Sequence, residues 1–294
     1  MDEISFRNIE KVIEFLRKNF PIEYWKDLEL KSPNPIYSTG LDIISYAELK
    51  ELIKDENKVK KIINEIYNGK IFIIKKAFSK KFIETTKKNF FKFTSSQKSS
   101  FHKMVENCPD FHRVIDEKVS GNYSIKALKH SAYFFHWNGD KYKMFDEINE
   151  RWRILKFLGG KKFDQYEKNT PKDGVVDRIQ VLKYPPGGSL GTHYDPNHNQ
   201  RFFISIYASK REKMGDYESG GFYTIDKDNK KIDIESYIDV GDIGFGYATI
   251  RHGVSKIDDK KTCDWQTKSG RWFIGLYSND SDEKINRVTA TSLS

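Results

Sequence analysis

The spacing of apolar residues changes character along the chain. In residues 6–19, apolar side chains recur every three or four positions, which is the spacing of an amphipathic helix. The same spacing returns in residues 144–158 and stops at Gly159-Gly160, a typical helix end. From about residue 176, apolar and polar residues alternate instead, as they do in strands. The pattern predicts a mainly helical region over residues 1–160, contributing helices and a strand to the core, and a β-rich region over residues 161–294.

Local signals predict several element boundaries in the first region. The stretch SYAE, which begins at Ser45, is a capping box and predicts the start of a helix. The turn Asn68-Gly69 precedes KIFIIKKAF, which we interpret as a strand, and Ser79 is placed to cap the next helix. Residues 75–93 interleave Lys with Phe, a composition found on nucleic-acid-binding surfaces and on helices with a basic outer face. We favour the helix.

The second region contains five short stretches rich in aromatic and β-branched residues, separated by Gly, Pro, Asp and Asn. Short strands joined by turns and one long connection favour a double-sheet jelly roll over a parallel sheet with crossover helices. Because the chain has no internal repeat and no low-complexity linker, we expect the helical region to pack against the β region as one integrated domain. The stretches are VDRIQVLKY, RFFISIYAS, GGFYTID, DIGFGYA and RWFIGLY.

Composition narrows the class of protein. A chain of 294 residues can bury a core without staples, and Cys108 and Cys263 lack metal-ligand spacing, so we expect no structural zinc site. The charged N-terminus is unlike a signal peptide and no apolar run is long enough to span a membrane. We therefore expect a soluble, cytoplasmic protein with no membrane partner. The net charge of +9 comes with a strong excess of Lys, and we expect no nucleic-acid partner from it.

The candidate chemistry is concentrated in GTHYDPNHNQ, residues 191–200. His193 and Asp195 are two residues apart, so on a strand both side chains point to the same face and can reach one metal ion. The pair alone is a weak signal, since it also fits a polar turn. His252, next to another strand-like run, would complete a set of two histidines and one carboxylate. That set leaves coordination positions open and is typical of non-haem Fe(II) oxygenases.

A fourth candidate, Arg271, opens the strand-like run RWFIGLY. Alternation puts Arg271 and Gly275 on the same face, and we expect Gly275 to leave room beside an inward-pointing guanidinium. A guanidinium binds a carboxylate through two parallel hydrogen bonds. Arg271 is therefore a candidate carboxylate-binding residue.

Taken in order, these residues resemble the 2-oxoglutarate and Fe(II)-dependent dioxygenases, most closely the prolyl-hydroxylase-like branch. In that superfamily a double-stranded β-helix carries H-x-D, a distal His and then a basic residue. The stretches RIQVLKYPPGGSLGTHYDPNHNQRFFISIY, SGGFYTI, VGDIGFGYATIRHGV and GRWFIGLY follow in the family's order. The similarity covers roughly residues 70–80 and 176–279. The matching positions are His193, Asp195, His252 and Arg271.

The resemblance implies an α+β fold with a double-stranded β-helix core, Fe(II) as the metal, and 2-oxoglutarate and O2 as cosubstrates. The reaction would hydroxylate a substrate and release succinate and CO2. We expect a small polar metabolite or biosynthetic intermediate as the substrate. A hydroxylase of protein side chains and a non-catalytic jelly-roll binding module are the alternatives. The residues implied in catalysis and metal binding are His193, Asp195 and His252.

The resemblance also implies which residues bind 2-oxoglutarate. Arg271 corresponds to the basic residue that binds its distal carboxylate, and Tyr184 to a tyrosine that hydrogen-bonds it. The segment 258–270 makes the interval before Arg271 longer than is usual in the family, so Lys256 is an alternative for the carboxylate clamp. The arginine-rich ending of the nucleic-acid-demethylating relatives is missing, which argues against direct base repair.

Overall fold

The structure is a computed structural model that describes residues 20–121 and 125–293. The helices lie mainly in the first half of the chain, and the longest of them is α4. Short 3-10 turns cover His136–Asn138, Pro171–Asp173 and Glu235–Tyr237. The α-helices are α1 (Ile22–Lys31), α2 (Tyr46–Leu52), α3 (Glu56–Tyr67), α4 (Lys80–Ser95), α5 (Glu117–Ser120) and α6 (Phe145–Leu158).

The strands occur along the whole described chain and are densest after residue 174. The first four are β1 (Gly40–Ser45), β2 (Lys70–Lys75), β3 (Phe111–Ile115) and β4 (Ala127–Phe135). The others are β5 (Val175–Tyr184), β6 (Ser189–Tyr194), β7 (Phe202–Tyr207), β8 (Gly221–Ile225), β9 (Lys231–Asp233), β10 (Ile243–Tyr247), β11 (His252–Ser255), β12 (Arg271–Asp280) and β13 (Thr291–Ser292).

These strands form two layers of a nearly closed, barrel-like sheet. The larger layer has the order β1-β2-β10-β7-β12-β5-β4, with β3 on β4. The smaller layer has the order β6-β11-β8-β9, with β13 on β6. β4 joins the two layers because its first residues pair with β6 and its later residues pair with β5. This is the double-stranded β-helix that the sequence predicts.

The helices cover the larger layer and share one apolar core with it. α3 buries Ile63 and Ile66, and α6 buries Trp152 and Leu155, in the same cluster as Ile73 of β2. α3 and α6 each contribute one apolar face, as their spacing of hydrophobic residues requires. The predicted packing of a helical region against a jelly-roll core is confirmed.

Most predicted element boundaries agree with the structure. Ser45 forms both hydrogen bonds of the capping box at α2, and Ser79 accepts a hydrogen bond from the N–H of Phe82 at the start of α4. The predicted strand at residue 70 is β2, and the predicted long helix is α6, which ends at Leu158, directly before Gly159. The helix predicted over residues 6–19 lies outside the described residues.

The strands β1, β3 and β4 were not predicted. β4 is buried along almost its whole length, so it lacks the alternation of apolar and polar residues that marks a strand with one wet face. The division into residues 1–160 and 161–294 stays a prediction. Among the helices described, none combines the length and the apolar character needed to cross a membrane.

Candidate metal centre and carboxylate pocket

Two neighbouring strands of the smaller layer bring the three candidate ligands together. β6 carries His193 and ends just before Asp195, and β11 opens with His252 directly opposite His193. A nitrogen of each imidazole and an oxygen of the Asp195 carboxylate lie within 4.8 Å of one another. The two side chains of the H-x-D pair therefore face one point, as strand parity predicts.

Backbone carbonyls fix both imidazoles from behind. His193 Nδ1 lies 2.9 Å from the carbonyl oxygen of Gly191, and His252 Nδ1 lies 2.8 Å from that of Ile250. A carbonyl can only accept, so we assign the ring hydrogen to Nδ1 in each case, which leaves a lone pair on Nε2. The Nε2 atoms lie 3.9 Å (His193) and 3.7 Å (His252) from the two oxygens of Asp195. Two nitrogen lone pairs and a carboxylate thus surround one small space.

Both histidines of this cluster are buried. Burial, and after it the nearby His252, lower the pKa of His193 to about 4. His193 is therefore uncharged near pH 7, and no proton competes for its lone pair. The ring of His252 packs against Phe203, with ring centres 4.7 Å apart, and against Phe222 at 5.7 Å.

Arg271 is fixed in the larger layer by register and by an ion pair. It pairs with Tyr184, the last residue of β5, and is only 1 % exposed. Its Nε donates a hydrogen bond to the carboxylate of Glu235. Although burial opposes it, the Glu235 carboxylate raises the pKa of Arg271 above its usual value, so the guanidinium stays charged. Its Nη1 and Nη2 are buried and have no hydrogen-bond partner within the described ranges.

Aromatic rings surround this guanidinium. Its central carbon lies 4.9 Å from the ring centre of Phe273, 5.7 Å from that of Tyr207 and 5.9 Å from those of Tyr184 and Phe222. Tyr184 is fully buried, and its ring stacks on Phe273. Such a setting excludes water, so an anion that reached Nη1 and Nη2 would interact more strongly than at the surface.

Glu235 is the residue of this site that the sequence analysis missed. It is buried and accepts hydrogen bonds from Arg271, from the Tyr217 hydroxyl and from the N–H of Phe222. Gly221 makes room for it: its φ is +120°, and a Cβ there would lie 2.2 Å from Glu235 Cγ. The glycine is a local signal of a close approach. It does not indicate which distant residue approaches.

The cluster and Arg271 open onto one cavity with a volume of about 370 Å³, which Tyr184 also lines. The cavity lies between the two layers of the sheet, because the histidines come from the smaller layer and Arg271 from the larger one. Its volume lies in the range of small-molecule binding sites.

The alternative clamp, Lys256, lies elsewhere. Its side chain is exposed, and it is not among the residues that line the cavity. Arg271 keeps its register with β5 because the segment 258–270 forms an excursion outside the sheet. Lys183 holds that segment by donating to the carbonyl oxygens of Trp265 (2.9 Å) and Thr267 (2.6 Å).

The expectation about Gly275 was wrong in one respect. The ring of Tyr277 folds over Gly275, where a Cβ would lie 2.4 Å from Tyr277 Cε2. Gly275 therefore makes room for the ring of Tyr277 and not for the guanidinium of Arg271. This contact between i and i+2 on one strand face could not be anticipated from alternation alone.

The remaining histidines near the site have other partners. His198 lies outside the cluster, with Nε2 3.1 Å from Asp280 Oδ2. His112 and His130 hydrogen-bond each other at 3.0 Å and do not line the cavity, whereas Arg113 does.

No protein-family model matches the chain, and no curated protein matches it. Solved structures do. A Neurospora crassa protein, solved as a C-terminally truncated form without ligands, is 12% identical with a TM-score of 0.52, over 81% of this chain and 94% of that chain. The full-length form of the same Neurospora crassa protein, in complex with alpha-KG and thymine, is 14% identical with a TM-score of 0.51, over 86% and 88%.

A prolyl-4-hydroxylase of Pseudomonas putida is also similar, at 9% identity and a TM-score of 0.47, over 75% of this chain and 97% of that chain. The assignment of the fold rests on the two Neurospora crassa structures, whose TM-scores exceed 0.5. The chain has the fold of the 2-oxoglutarate/Fe(II)-dependent oxygenases. The fold that the resemblance implies is thereby confirmed.

Proposed function

We propose that the protein is an Fe(II)- and 2-oxoglutarate-dependent oxygenase that hydroxylates a small polar metabolite or biosynthetic intermediate. One observation carries the proposal: the same cavity holds the cluster of His193, Asp195 and His252 and the two unpartnered nitrogens of Arg271. A module that only bound a sugar or nucleic acid would have no need of both. The Neurospora crassa protein, which shares the fold, has been solved with alpha-KG and thymine bound.

The cluster fits Fe(II) in the type of its donor atoms and in the fixed orientation of its two imidazole rings. Two neutral imidazole nitrogens and one carboxylate are the ligand set of non-haem iron oxygenases, which leaves positions open for other molecules. The hydrogen bonds from Nδ1 of His193 and His252 orient the rings before a metal arrives. Asp195 would add one negative charge to offset part of the charge of the ion.

Arg271 fits one end of 2-oxoglutarate. Its Nη1 and Nη2 lie in one plane and lack acceptors, so a carboxylate could take both hydrogen bonds at once. Glu235 holds the guanidinium by Nε and so leaves the outer edge available. In this proposal Tyr184, beside Arg271 on the neighbouring strand, contributes its hydroxyl to the same carboxylate.

The chain's own contribution is positioning and the exclusion of water. Bound iron and 2-oxoglutarate would supply the oxidising chemistry, in which O2 is consumed, a C–H bond becomes C–OH, and succinate and CO2 leave. His193, His252 and Asp195 would hold the metal, and Arg271 would fix the far end of the cosubstrate. The aromatic ring of Phe222, which contacts His252 and lies near Arg271, keeps water from the space between them.

The test is iron-dependent formation of succinate from 2-oxoglutarate, screened over a panel of small metabolites. We expect at least one metabolite to stimulate succinate formation, and we expect the signal to disappear when iron is chelated or when Asp195 is changed to Ala. His198→Ala is the matched control, because His198 lies in the same segment but outside the cluster. Succinate formation that survived both chelation and Asp195→Ala would contradict the proposal.

A further inference from the structure

We infer that the substrate is a small acid whose carboxylate or phosphate group binds Arg178, at a second anion site in the same cavity. This inference rests on the proposed function, because it names the class of molecule that the metal centre would oxidise. The evidence is the position, the stacking and the unused hydrogen-bond donors of Arg178, together with the partners of the other cations nearby.

Arg178 lies on the inward face of β5, six residues before Tyr184, which is a distance of about 20 Å along an extended strand. It pairs in register with Tyr277 of β12 and Phe135 of β4, and all three line the cavity. Arg271 pairs with Tyr184 and Arg178 with Tyr277, so the two arginines are six residue pairs apart along one strand pair. A ligand bound at Arg178 would therefore leave the end near Arg271 free for 2-oxoglutarate.

Two aromatic rings hold the Arg178 guanidinium by its faces. Its central carbon lies 4.9 Å from the ring centre of Tyr277 and 5.3 Å from that of Tyr133. Stacking of this kind covers the flat faces and leaves the N–H groups around the edge, where a planar oxyanion can accept two of them.

The edge of Arg178 has no acceptor among the residues that the structure describes. Its Nε is buried without a hydrogen-bond partner, and the side chain makes no ion pair or hydrogen bond across residues 20–121 and 125–293. A partly buried cation without an acceptor is unfavourable, and an oxyanion would satisfy its charge and its donors together. Two other arginines of the cavity already have carboxylates: Arg271 has Glu235, and Arg287 donates to Asp282 at 2.6 Å.

Polar groups on the same inward face further define the ligand. The amide of Gln180, a residue only 3 % exposed, has no hydrogen-bond partner in the described chain, and the Oδ1 of Asn279 is buried without a donor. Both residues line the cavity. The substrate therefore carries a hydroxyl or amino donor as well as an anionic group, with an apolar part that fits against the aromatic walls.

The test uses matched pairs of small acids and neutral analogues: benzoate against benzamide, and phenyl phosphate against phenol. Binding is measured by anaerobic calorimetry on the full chain with Fe(II) and 2-oxoglutarate present. We expect at least one acid to bind about tenfold or more tightly than its neutral partner, and the better acid separates carboxylate from phosphate. Equal binding of acid and neutral partner would overturn the inference.

Variants test whether Arg178 is the residue that causes the preference for the acid over its neutral analogue. Arg178→Gln should reduce acid binding to the level of the neutral partner, while Arg287→Gln, which removes a cavity arginine that already has a carboxylate, should leave it unchanged. Arg271→Gln should weaken 2-oxoglutarate and spare the acid. Loss of acid binding in Arg287→Gln or Arg271→Gln, but not in Arg178→Gln, would overturn the assignment. Binding of Fe(II) and 2-oxoglutarate is followed separately by their absorption band, so a failure of the proposed function is distinguishable.

Discussion

At the scale of single residues, Arg271 shows why charge alone does not define this site. Arg271→Lys keeps a cation but cannot form two parallel hydrogen bonds to a carboxylate while also donating to Glu235. Loss of one charge-assisted hydrogen bond, worth about 1.5–3 kcal/mol, should weaken 2-oxoglutarate binding by about tenfold or more. An anaerobic titration of the Fe(II) protein measures this affinity, and Fe(II) binding itself should be unaltered.

Lys256→Ala is the control for that titration. The side chain of Lys256 is exposed and lies outside the cavity, so we expect little change in 2-oxoglutarate affinity. A strong loss in Lys256→Ala with little loss in Arg271→Lys would assign the carboxylate clamp to Lys256.

Glu235 gives a second prediction at this scale. Glu235→Gln leaves the Arg271 charge buried without its carboxylate, which should lower the free energy of unfolding by about 3 kcal/mol. The carboxylate of 2-oxoglutarate would restore part of the missing charge, so the cosubstrate should raise the melting temperature more in the variant than in the wild type. Thermal unfolding with and without 2-oxoglutarate checks both effects.

The matched control is Glu218→Gln. Glu218 forms a half-exposed ion pair with Lys261, with 3.8 Å between the charged atoms, and such surface pairs contribute little. If Glu235→Gln proved as harmless as Glu218→Gln, Glu235 would not be the residue that holds Arg271.

The residue scale also separates what the sequence could predict from what it could not. His193 and Asp195 were predictable because strand alternation relates neighbours in sequence. The contribution of Glu235 depends on a contact across the fold, made possible by the backbone conformation at Gly221. No periodicity encodes such a contact.

At the scale of elements, the conformation of β8 at Gly221 is coupled to the carboxylate pocket. Gly221→Ala should cost at least about 2 kcal/mol through the clash with Glu235, in addition to the strain of a positive φ. Displacing Glu235 should also weaken 2-oxoglutarate binding, because Arg271 would lose its support. Chemical denaturation and cosubstrate titration measure the two effects.

Gly40 provides a control with nearly the same positive φ. Its φ is +122°, and a Cβ there would meet nothing within 4 Å, so Gly40→Ala carries the strain without the clash. The difference between the two variants isolates the contact with Glu235. Equal destabilisation, with unchanged cosubstrate affinity in both, would show that the contact does not matter.

Some helices and strands could be predicted from the sequence and others could not. Helices α2 and α4 were predictable because Ser45 and Ser79 cap them, and β2 and β5 because glycine turns or alternation mark them. β3 and β4 were missed because they come between helices and lack a wet face that alternates with a buried one. From the sequence, the long segment 258–270 could have displaced Arg271 along β12. The structure keeps Arg271 in register with β5, and the hydrogen bonds of Lys183 hold the segment outside the sheet.

At the scale of the whole molecule, we predict that the net charge of +9 does not produce nucleic-acid binding. Many lysines already have carboxylate partners, such as Lys60 with Glu56 and Lys87 with Glu84. Affinity for a generic DNA or RNA oligonucleotide should therefore be weak at physiological salt. A filter-binding series over salt concentration checks this, and tight binding that falls steeply with added salt would contradict it.

The architecture places the metal ligands on one layer and Arg271 on the other, so one molecule can bridge both only if the jelly roll is folded as described.

The most direct test of the central claim is an anaerobic titration of 2-oxoglutarate into the Fe(II) protein, in which the metal-to-ligand absorption band is measured. We predict that the wild type and His198→Ala develop the band and that His252→Ala does not and binds iron poorly. Full iron binding and a normal band in His252→Ala would contradict the account.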